Sequence, residues 1–201
     1  LCNAVNTITF KDGKYYGTIT DGIGFTRSLE EQGWLIKDKK ITMVGAGGAS
    51  TAIMVQLALD GVKEIIVYNR TMRTEFQEII NNTIIETGCT ITLKSLSDLE
   101  SLKKDMHSSY LFINTTGVGM EPMLERSVVP DASYFKPDLK VADIIYQPAV
   151  TKMLRLAKEA GCATMNGELM LLYQGVESFK IWTGQEMPIN EVKKVLGIEV
   201  K

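Results

Sequence analysis

The chain has 201 residues, and its 22 Lys and Arg nearly balance 24 Asp and Glu to leave a formal net charge of −2. This balance provides no bulk field that would attract nucleic acid or anionic lipid, so we expect neither kind of partner. Hydrophobic residues make up 45% and charged residues 23%, which excludes a disordered tail or a collagen-like repeat.

The first segments predict a β-hairpin followed by a helix. Two runs rich in β-forming residues, at 4–10 and 14–20, flank the pair Asp12-Gly13, which is a strong hairpin signal. A helical pattern then extends to about Gln32 before Gly33. Asp21 stands at its start, where a carboxylate can cap the helix.

From residue 40 onward, short apolar runs alternate with segments of helical period. This alternation predicts βαβ units and a parallel sheet, that is, a Rossmann-type doubly wound α/β fold. The chain then ends in two helices, at 167–183 and 189–198, with Asn190 as the expected cap of the second. The predicted strands are Ile41–Val44, Glu64–Tyr68, Thr90–Leu93, Tyr110–Ile113, Val141–Ile144 and Ala163–Met165, and the predicted helices between them are 48–60, 73–86, 96–104, 121–136 and 150–160.

Cysteine and histidine exclude several kinds of site. Cys2, Cys89 and Cys162 lie far apart without metal-ligand spacing, so we expect reduced, buried thiols in a cytoplasmic protein and no metal site. The single histidine, His107, lies in a polar stretch typical of a surface. Hydrolases that need a histidine beside Ser or Cys are therefore disfavoured, and acid–base chemistry has to use Asp, Glu, Lys or Tyr. The longest apolar runs are too short to span a bilayer.

A glycine-rich turn follows the first predicted strand of the sheet and opens the next helix. Gly45 lets the chain leave the strand tightly, Gly47 leaves room for a pyrophosphate, and Ser50 is small enough for close helix packing. The helix N-terminus offers free amides and a positive dipole end to phosphates. The alternative interpretation is a tight turn from strand to helix that binds no ligand. The whole turn is Gly45-Ala46-Gly47-Gly48-Ala49-Ser50.

The end of the next strand favours NADP over NAD. An acid for the ribose 2′-hydroxyl is expected there in NAD enzymes, but the segment from 67 to 73 contains none and carries Arg70 and Arg73 instead. A guanidinium can bind a 2′-phosphate or stack on adenine. Both arginines could also be ordinary solvated charges.

Seven motifs follow one another over nearly the whole chain: Ala4-Val5-Asn6-Thr7-Ile8, Thr20-Asp21-Gly22-x-Gly24, Gly45-Ala46-Gly47-Gly48-Ala49, Asn69-Arg70-Thr71, Asn114-Thr115-Thr116-Gly117-x-Gly119-Met120, Asp143-x-x-Tyr146-x-Pro148-x-x-Thr151 and Gly167-x-x-Met170-Leu171-x-x-Gln174. In this order they resemble the shikimate dehydrogenase family, including its quinate/shikimate members. The resemblance implies reversible hydride transfer between NADP(H) and C3 of shikimate or 3-dehydroshikimate, on the route to aromatic amino acids. It also implies an active site between a substrate domain and a nucleotide domain.

The resemblance also implies site residues. Asp21 matches the catalytic Asp of the family's Lys–Asp pair and, with Asn6, Tyr146 and Gln174, a substrate contact. Taken one at a time, these could be a helix cap, a residue beside a hairpin or ordinary helix residues, and Met170 could be a core side chain. The implied cofactor residues are Gly45, Ala46, Gly47, Gly48, Ala49, Asn69, Arg70, Thr71, Arg73, Asn114, Thr115, Gly117, Ile144, Gly167 and Met170.

Three positions depart from the family pattern. Ile19 replaces a usual Asn, Thr74 stands where a second phosphate-binding Arg is common, and Met72 occupies a place where some NAD-accepting members have an acid. We expect NADP as the cofactor, with NAD use still open. Three further interpretations stay open as well, namely a quinate/shikimate dehydrogenase, a non-catalytic dinucleotide-binding module, and a different two-domain dehydrogenase acting on a folate or an amino-acid-derived carbonyl.

The family's catalytic Lys and Ser/Thr ligands precede the Ala4–Ile8 motif. We therefore expect this chain to hold the C-terminal portion of the enzyme and to turn over shikimate poorly alone. The expected domains are a substrate-domain remnant at 1–20, a hinge helix at 21–34, the nucleotide domain at 35–165 and C-terminal helices at 166–201, in a monomer or homodimer.

Overall fold

A computed structural model describes Cys2 and residues 4–198, and the predicted hairpin is confirmed within them. Strands β1 (Thr7–Lys11) and β2 (Lys14–Thr18) pair antiparallel. Asp12 and Gly13 both have positive φ angles, 51° and 74°, as a type I′ turn requires. The outer ends of the first and last expected domains, at residues 1, 3 and 199–201, lie outside the described residues.

The alternating segments form one six-stranded parallel sheet in the order β5-β4-β3-β6-β7-β8. The predicted doubly wound fold is confirmed. Strand β3 lies between β4 and β6, so the direction of winding reverses at β3 and β6, and ligands bind outside the carboxyl ends of strands at such a point. The elements are β3 (Lys40–Val44), α2 (Gly48–Leu59), β4 (Glu64–Asn69), α3 (Thr74–Thr87), β5 (Thr90–Ser95), α4 (Leu99–Ser108), β6 (Leu111–Asn114), β7 (Lys140–Asp143), α5 (Lys152–Glu159) and β8 (Ala163–Met165).

Buried side chains cover both faces of this sheet because alternate residues of a strand point to opposite faces. On one face, Ile41 and Met43 pack against Ile53 of α2. On the other face, Val44 and Phe112 belong to a cluster that includes side chains from α4 and α5. Burial on both faces explains why the strands read as continuous apolar runs.

Three further helices lie outside the sheet: α1 (Asp21–Glu31) packs on α2 and on α6 (Glu168–Thr183), and α7 (Ile189–Leu196) packs on α6. Two glycines set how closely α1 approaches its neighbours. A Cβ at Gly22 would lie 2.5 Å from the carbonyl oxygen of Ala52 in α2, and one at Gly24 would lie 2.6 Å from the amide nitrogen of Gln174 in α6. Only glycine permits both approaches.

Two local predictions are wrong. The segment 121–136 contains only a short 3₁₀ helix, Ala132–Tyr134, because prolines at 122 and 130 interrupt any longer helix. Asn190 is not the cap of α7, since that helix begins after Pro188 and Asn190 is its second residue. No helix in the described residues is long and apolar enough to cross a membrane.

The buried-thiol prediction is confirmed for two of the three cysteines. Cys89 and Cys162 are buried free thiols, and burial raises the pKa of Cys89 to about 11, but Cys2 is only half-buried. His107 is exposed, as predicted. In the part of the chain that the structure describes, no group of three His, Cys, Asp or Glu residues could hold a metal ion.

Candidate active site

The glycine turn is held in a shape that glycine alone can adopt. Gly45 has a φ of 122°, and a Cβ there would lie 2.4 Å from Thr115 Oγ1. The Ser50 hydroxyl donates to the carbonyl oxygen of Gly45 at 2.6 Å, which closes the turn onto the first residues of α2. The turn therefore brings the start of α2 against the end of β3, as the motif predicts.

The N-terminus of α2 faces open space. Its cap residue, Gly47, makes no side-chain capping bond, and a Cβ on Gly47 would meet no atom within 4 Å. At Gly48 the only neighbour of such a Cβ among the described residues is the Ala4 side chain at 3.9 Å. Ala46 and Ala49 are partly exposed beside them. Free amides, a dipole end and space without side chains fit a dinucleotide diphosphate.

Exposed cationic residues follow the neighbouring strand β4. Asn69 Nδ2 donates to the carbonyl oxygen of Thr71 at 2.7 Å and so shapes this loop. Arg70 and Arg73 are exposed, and neither forms an ion pair with the described residues. Because Tyr68 at the end of β4 lies opposite Val44 in the sheet, this loop is adjacent to the glycine turn.

A cleft of about 590 Å³ lies at the carboxyl ends of β6 and β7. Four of the expected site residues line it, namely Thr115, Gly117, Ile144 and Tyr146. Tyr146 is about half exposed, so its phenol is accessible. Asn114, which the resemblance implies as a cofactor residue, is fully buried and does not line the cleft.

The first turn of α6 packs against the segment that follows β7, on one side of this cleft. A Cβ on Gly167 would lie 2.0 Å from the carbonyl oxygen of Ile144, so only glycine allows this approach. The Gly167 amide donates to the carbonyl oxygen of Ile145 at 3.0 Å. Met170, one turn later, is 7% exposed and packs in the core, as an ordinary core side chain does.

Three of the four expected substrate and catalytic side chains meet, although they come from distant parts of the chain. Asn6 Nδ2 lies 2.7 Å from Asp21 Oδ1 and 3.4 Å from Gln174 Oε1. Asn6 Oδ1 accepts from the amide of Thr20 at 3.0 Å, so the amide group is held in one orientation. Asp21 is not the cap of α1, because Thr20 holds that position and the Asp21 carboxylate bonds Asn6 instead.

Partial burial raises the pKa of Asp21, and the hydrogen bond from Asn6 opposes that rise. A carboxylate with a raised pKa is a better proton acceptor than an exposed one. The cluster therefore combines a base with two amides, of Asn6 and Gln174, that can hydrogen-bond hydroxyl groups.

Sequence reasoning missed two groups of supporting residues. Ser178 Oγ lies 2.7 Å from Thr7 Oγ1 and 3.2 Å from Thr20 Oγ1, and it supports the cluster from α6. In the sequence, only its spacing of four residues from Gln174 could have indicated Ser178. The second group is Asp143 and Thr151, the first and last residues of one of the seven motifs. Their side chains are joined by a hydrogen bond of 2.8 Å beneath the cleft.

Comparison with known proteins gives consistent matches. The family model "Shikimate / quinate 5-dehydrogenase" matches residues 28–148, and "Shikimate 5'-dehydrogenase C-terminal domain" matches residues 167–196. The curated shikimate dehydrogenase (NADP(+)) of Listeria innocua is 44% identical over 98% of this chain and 68% of its own length.

Two solved structures share the fold. Shikimate 5-dehydrogenase from Listeria monocytogenes, in complex with shikimate and NAD, matches with a TM-score of 0.91 and 44% identity over 97% of this chain and 68% of its own. A shikimate dehydrogenase in complex with NADP+ matches with a TM-score of 0.85 and 35% identity over 99% of this chain and 68% of its own. Since both sequence and structure match over nearly all of its length, this chain belongs to the shikimate dehydrogenase family.

Proposed function

We propose that this chain serves the NADP-dependent interconversion of shikimate and 3-dehydroshikimate by hydride transfer, as the nucleotide-binding part that also carries Asp21. The observation that carries the proposal is the convergence of Asn6, Asp21 and Gln174 at one point. Helix α1 holds this point against the phosphate-facing helix α2 through the close approach of Gly22 to Ala52. A base beside a dinucleotide site is what oxidation of a secondary alcohol needs.

When bound, NADP+ supplies the acceptor for the hydride. The amides at the start of α2 would hold its diphosphate, and Arg70 and Arg73 its 2′-phosphate. The cleft residues Thr115, Gly117 and Ile144 would contact the rest of the cofactor. The small residues at 45–49 leave the space that the diphosphate needs.

Asp21 would accept the proton of the substrate hydroxyl as the hydride leaves the carbon. Its Oδ1 is already occupied by the hydrogen bond from Asn6, so the second carboxylate oxygen is the candidate acceptor. The Gln174 amide, held beside Asn6, and the exposed phenol of Tyr146 would bind other hydroxyl groups of the substrate. These two contacts orient the ring so that its hydroxyl meets the base.

The four-part domain division remains our proposal, with α1 as the hinge helix between α2 and α6. The close contacts of Gly22 and Gly24 support it, because α1 touches both neighbours at backbone distance. A cytoplasmic location and a monomeric or homodimeric state also remain predictions. Sedimentation of the purified protein would decide the oligomeric state.

The second candidate function is use of quinate, of NAD, or of both. It is favoured by the NAD bound to the Listeria monocytogenes relative and by the quinate named in the matching family model. Met72 in place of an acid favours NADP.

Replacing Arg70 by Gln should raise the dissociation constant of NADPH about 10- to 100-fold, since a charge-assisted hydrogen bond contributes about 1.5–3 kcal/mol. NADH binding should change little, and Arg155→Ala on α5 serves as the control.

The decisive experiment measures NADP+ reduction by shikimate in the protein as its gene encodes it, with NAD+ and quinate in parallel. Asp21→Asn should lower kcat at least about 100-fold, in line with loss of a general base. Asp12→Asn, at the exposed hairpin turn, is the matched control and should leave kcat unchanged. NADPH binding without a rate for any pairing would favour the non-catalytic module. The 201-residue chain assayed alone tests our expectation that it turns over shikimate poorly.

A further inference from the structure

Asp143 is a buried carboxylate at the end of β7 that has no cationic partner among the described residues. Its exposed fraction is 0%. Oδ1 accepts from Asn114 Nδ2 at 3.0 Å and from the Ile145 amide at 3.1 Å, and Oδ2 accepts from Thr151 Oγ1 at 2.8 Å. Burying a charge without a counter-charge costs free energy, so its contribution lies in the geometry that it enforces.

The carboxylate determines which way the Asn114 amide points. An ionised carboxylate only accepts hydrogen bonds, so Asn114 has to present Nδ2 to Asp143. Asn114 Oδ1 then faces Thr116 and accepts from its amide at 3.1 Å and from its hydroxyl at 2.7 Å. The same Nδ2 also donates to the carbonyl oxygen of Val118 at 3.2 Å. Through Asn114, the last residue of β6, Asp143 thereby shapes the loop that follows this strand.

Both segments shaped in this way line the cleft. Asn114 organises the loop of Thr115, Thr116 and Gly117, while the bond to the Ile145 amide fixes the segment that leads into Tyr146. We propose that Asp143 is a positioning residue that holds these two cleft-lining loops at the separation a bound dinucleotide requires. The identity of the ligand rests on the proposed function, whereas the loop geometry does not.

Two readouts test this proposal on three variants. Asp143→Ala removes all three acceptor contacts, Asp143→Leu does so while filling the space, and Asp143→Asn retains an acceptor for Asn114 and Ile145 and a donor for Thr151. We expect Asp143→Ala and Asp143→Leu to accelerate hydrogen exchange at the amides of Thr116 and Ile145. We also expect them to raise the dissociation constant of NADPH at least about tenfold, while Asp143→Asn stays within about threefold of the unchanged protein.

Asp98→Ala is the matched control. Asp98 is the capping carboxylate of α4 and accepts from the Ser101 amide at 3.0 Å, so its loss destabilises a helix away from the cleft. This variant should leave both readouts unchanged. The proposal is overturned by a folded Asp143→Ala or Asp143→Leu with unchanged exchange and NADPH affinity, by an equal effect of Asp98→Ala, or by an Asp143→Asn that loses binding tenfold.

Failure of the proposed function looks different. In that case the unchanged protein does not bind NADPH, while the exchange at Thr116 and Ile145 still responds to Asp143→Ala if the positioning role is correct. Loss of NADPH binding in the variants alone, with normal exchange, would contradict positioning through the loops.

Discussion

Substitutions of two glycines around α6 should change stability in opposite directions. Gly24 lies in α1, where an added Cβ would meet the backbone of α6 at 2.6 Å from Gln174 N and 2.8 Å from Met170 O. Gly175 lies in α6 itself, next to Gln174, and an added Cβ there would meet nothing within 4 Å. The same change, Gly to Ala, thus meets a rigid backbone at one site and open space at the other.

The magnitudes follow from these distances. Ordinary contact begins at 3.4 Å, so in Gly24→Ala the two helices have to separate by about 0.8 Å. Overpacking of this kind costs about 1–3 kcal/mol, and the helix propensity gained from Ala returns up to about 1 kcal/mol. We therefore expect a net loss of about 1–2 kcal/mol for Gly24→Ala. Gly175→Ala should gain about 0.5–1 kcal/mol.

The separation should also affect the candidate site. Asn6 Nδ2 lies 3.4 Å from Gln174 Oε1, near the limit for a hydrogen bond, so a shift of about 0.8 Å breaks this contact. Misplacing a substrate contact by this amount should lower kcat/KM about 10- to 100-fold. Gly175→Ala moves neither Gln174 nor Asp21 and should keep the activity of the unchanged protein.

Thermal unfolding followed by circular dichroism, together with initial rates, measures both effects. For a chain of this size, about 1 kcal/mol corresponds to about 2–4 °C in Tm. Gly24→Ala should therefore lower Tm by about 2–8 °C, and Gly175→Ala should raise it by about 1–4 °C. Two results would refute the role of the close α1–α6 contact in stability and site geometry. One is a Gly24→Ala variant as stable as the unchanged protein, and the other is a loss of activity in Gly175→Ala.

Two further predictions concern buried charges. Burial raises the pKa of Asp143 from 3.8 to about 6, so this group's contribution to stability is full below pH 3.8 and is lost as pH rises through about 6. The free energy of unfolding of Asp143→Asn, compared with that of the unchanged protein in urea, should therefore rise by about 2–3 kcal/mol between about pH 4 and about pH 7. The same difference at both pH values would contradict this. Lys193 of α7 is buried against Glu31, with Nζ 2.6 Å from Oε2, so Lys193→Met should cost about 3 kcal/mol and speed hydrogen exchange over 189–196. Unchanged exchange there would show that other contacts hold α7.

Features that depend on residues adjacent in the chain could be predicted from the sequence. The positive φ angles of Asp12 and Gly13 follow from a two-residue turn between β-forming runs, and the tight turn at Gly45 follows from its place between a strand and a helix. The doubly wound sheet could be predicted because hydrophobic period and element order are local properties, and few topologies satisfy them. The wrong prediction of a helix at 121–136 also has a local cause, because Pro122 and Pro130 interrupt the helical period of this segment.

Contacts between distant residues became visible only in the folded chain. Asn6 and Gln174 are separated by 168 positions, and they meet because Gly24 lets α1 and α6 approach at backbone distance. Asp21 alone is equally compatible with a helix cap, and the packing of Asn6 beside it excludes that role. Likewise, no pattern in the sequence indicates that Asp143 is buried with no cationic partner among the residues that the structure describes. Burial and side-chain partners depend on which surfaces pack together, and that is a property of the whole fold.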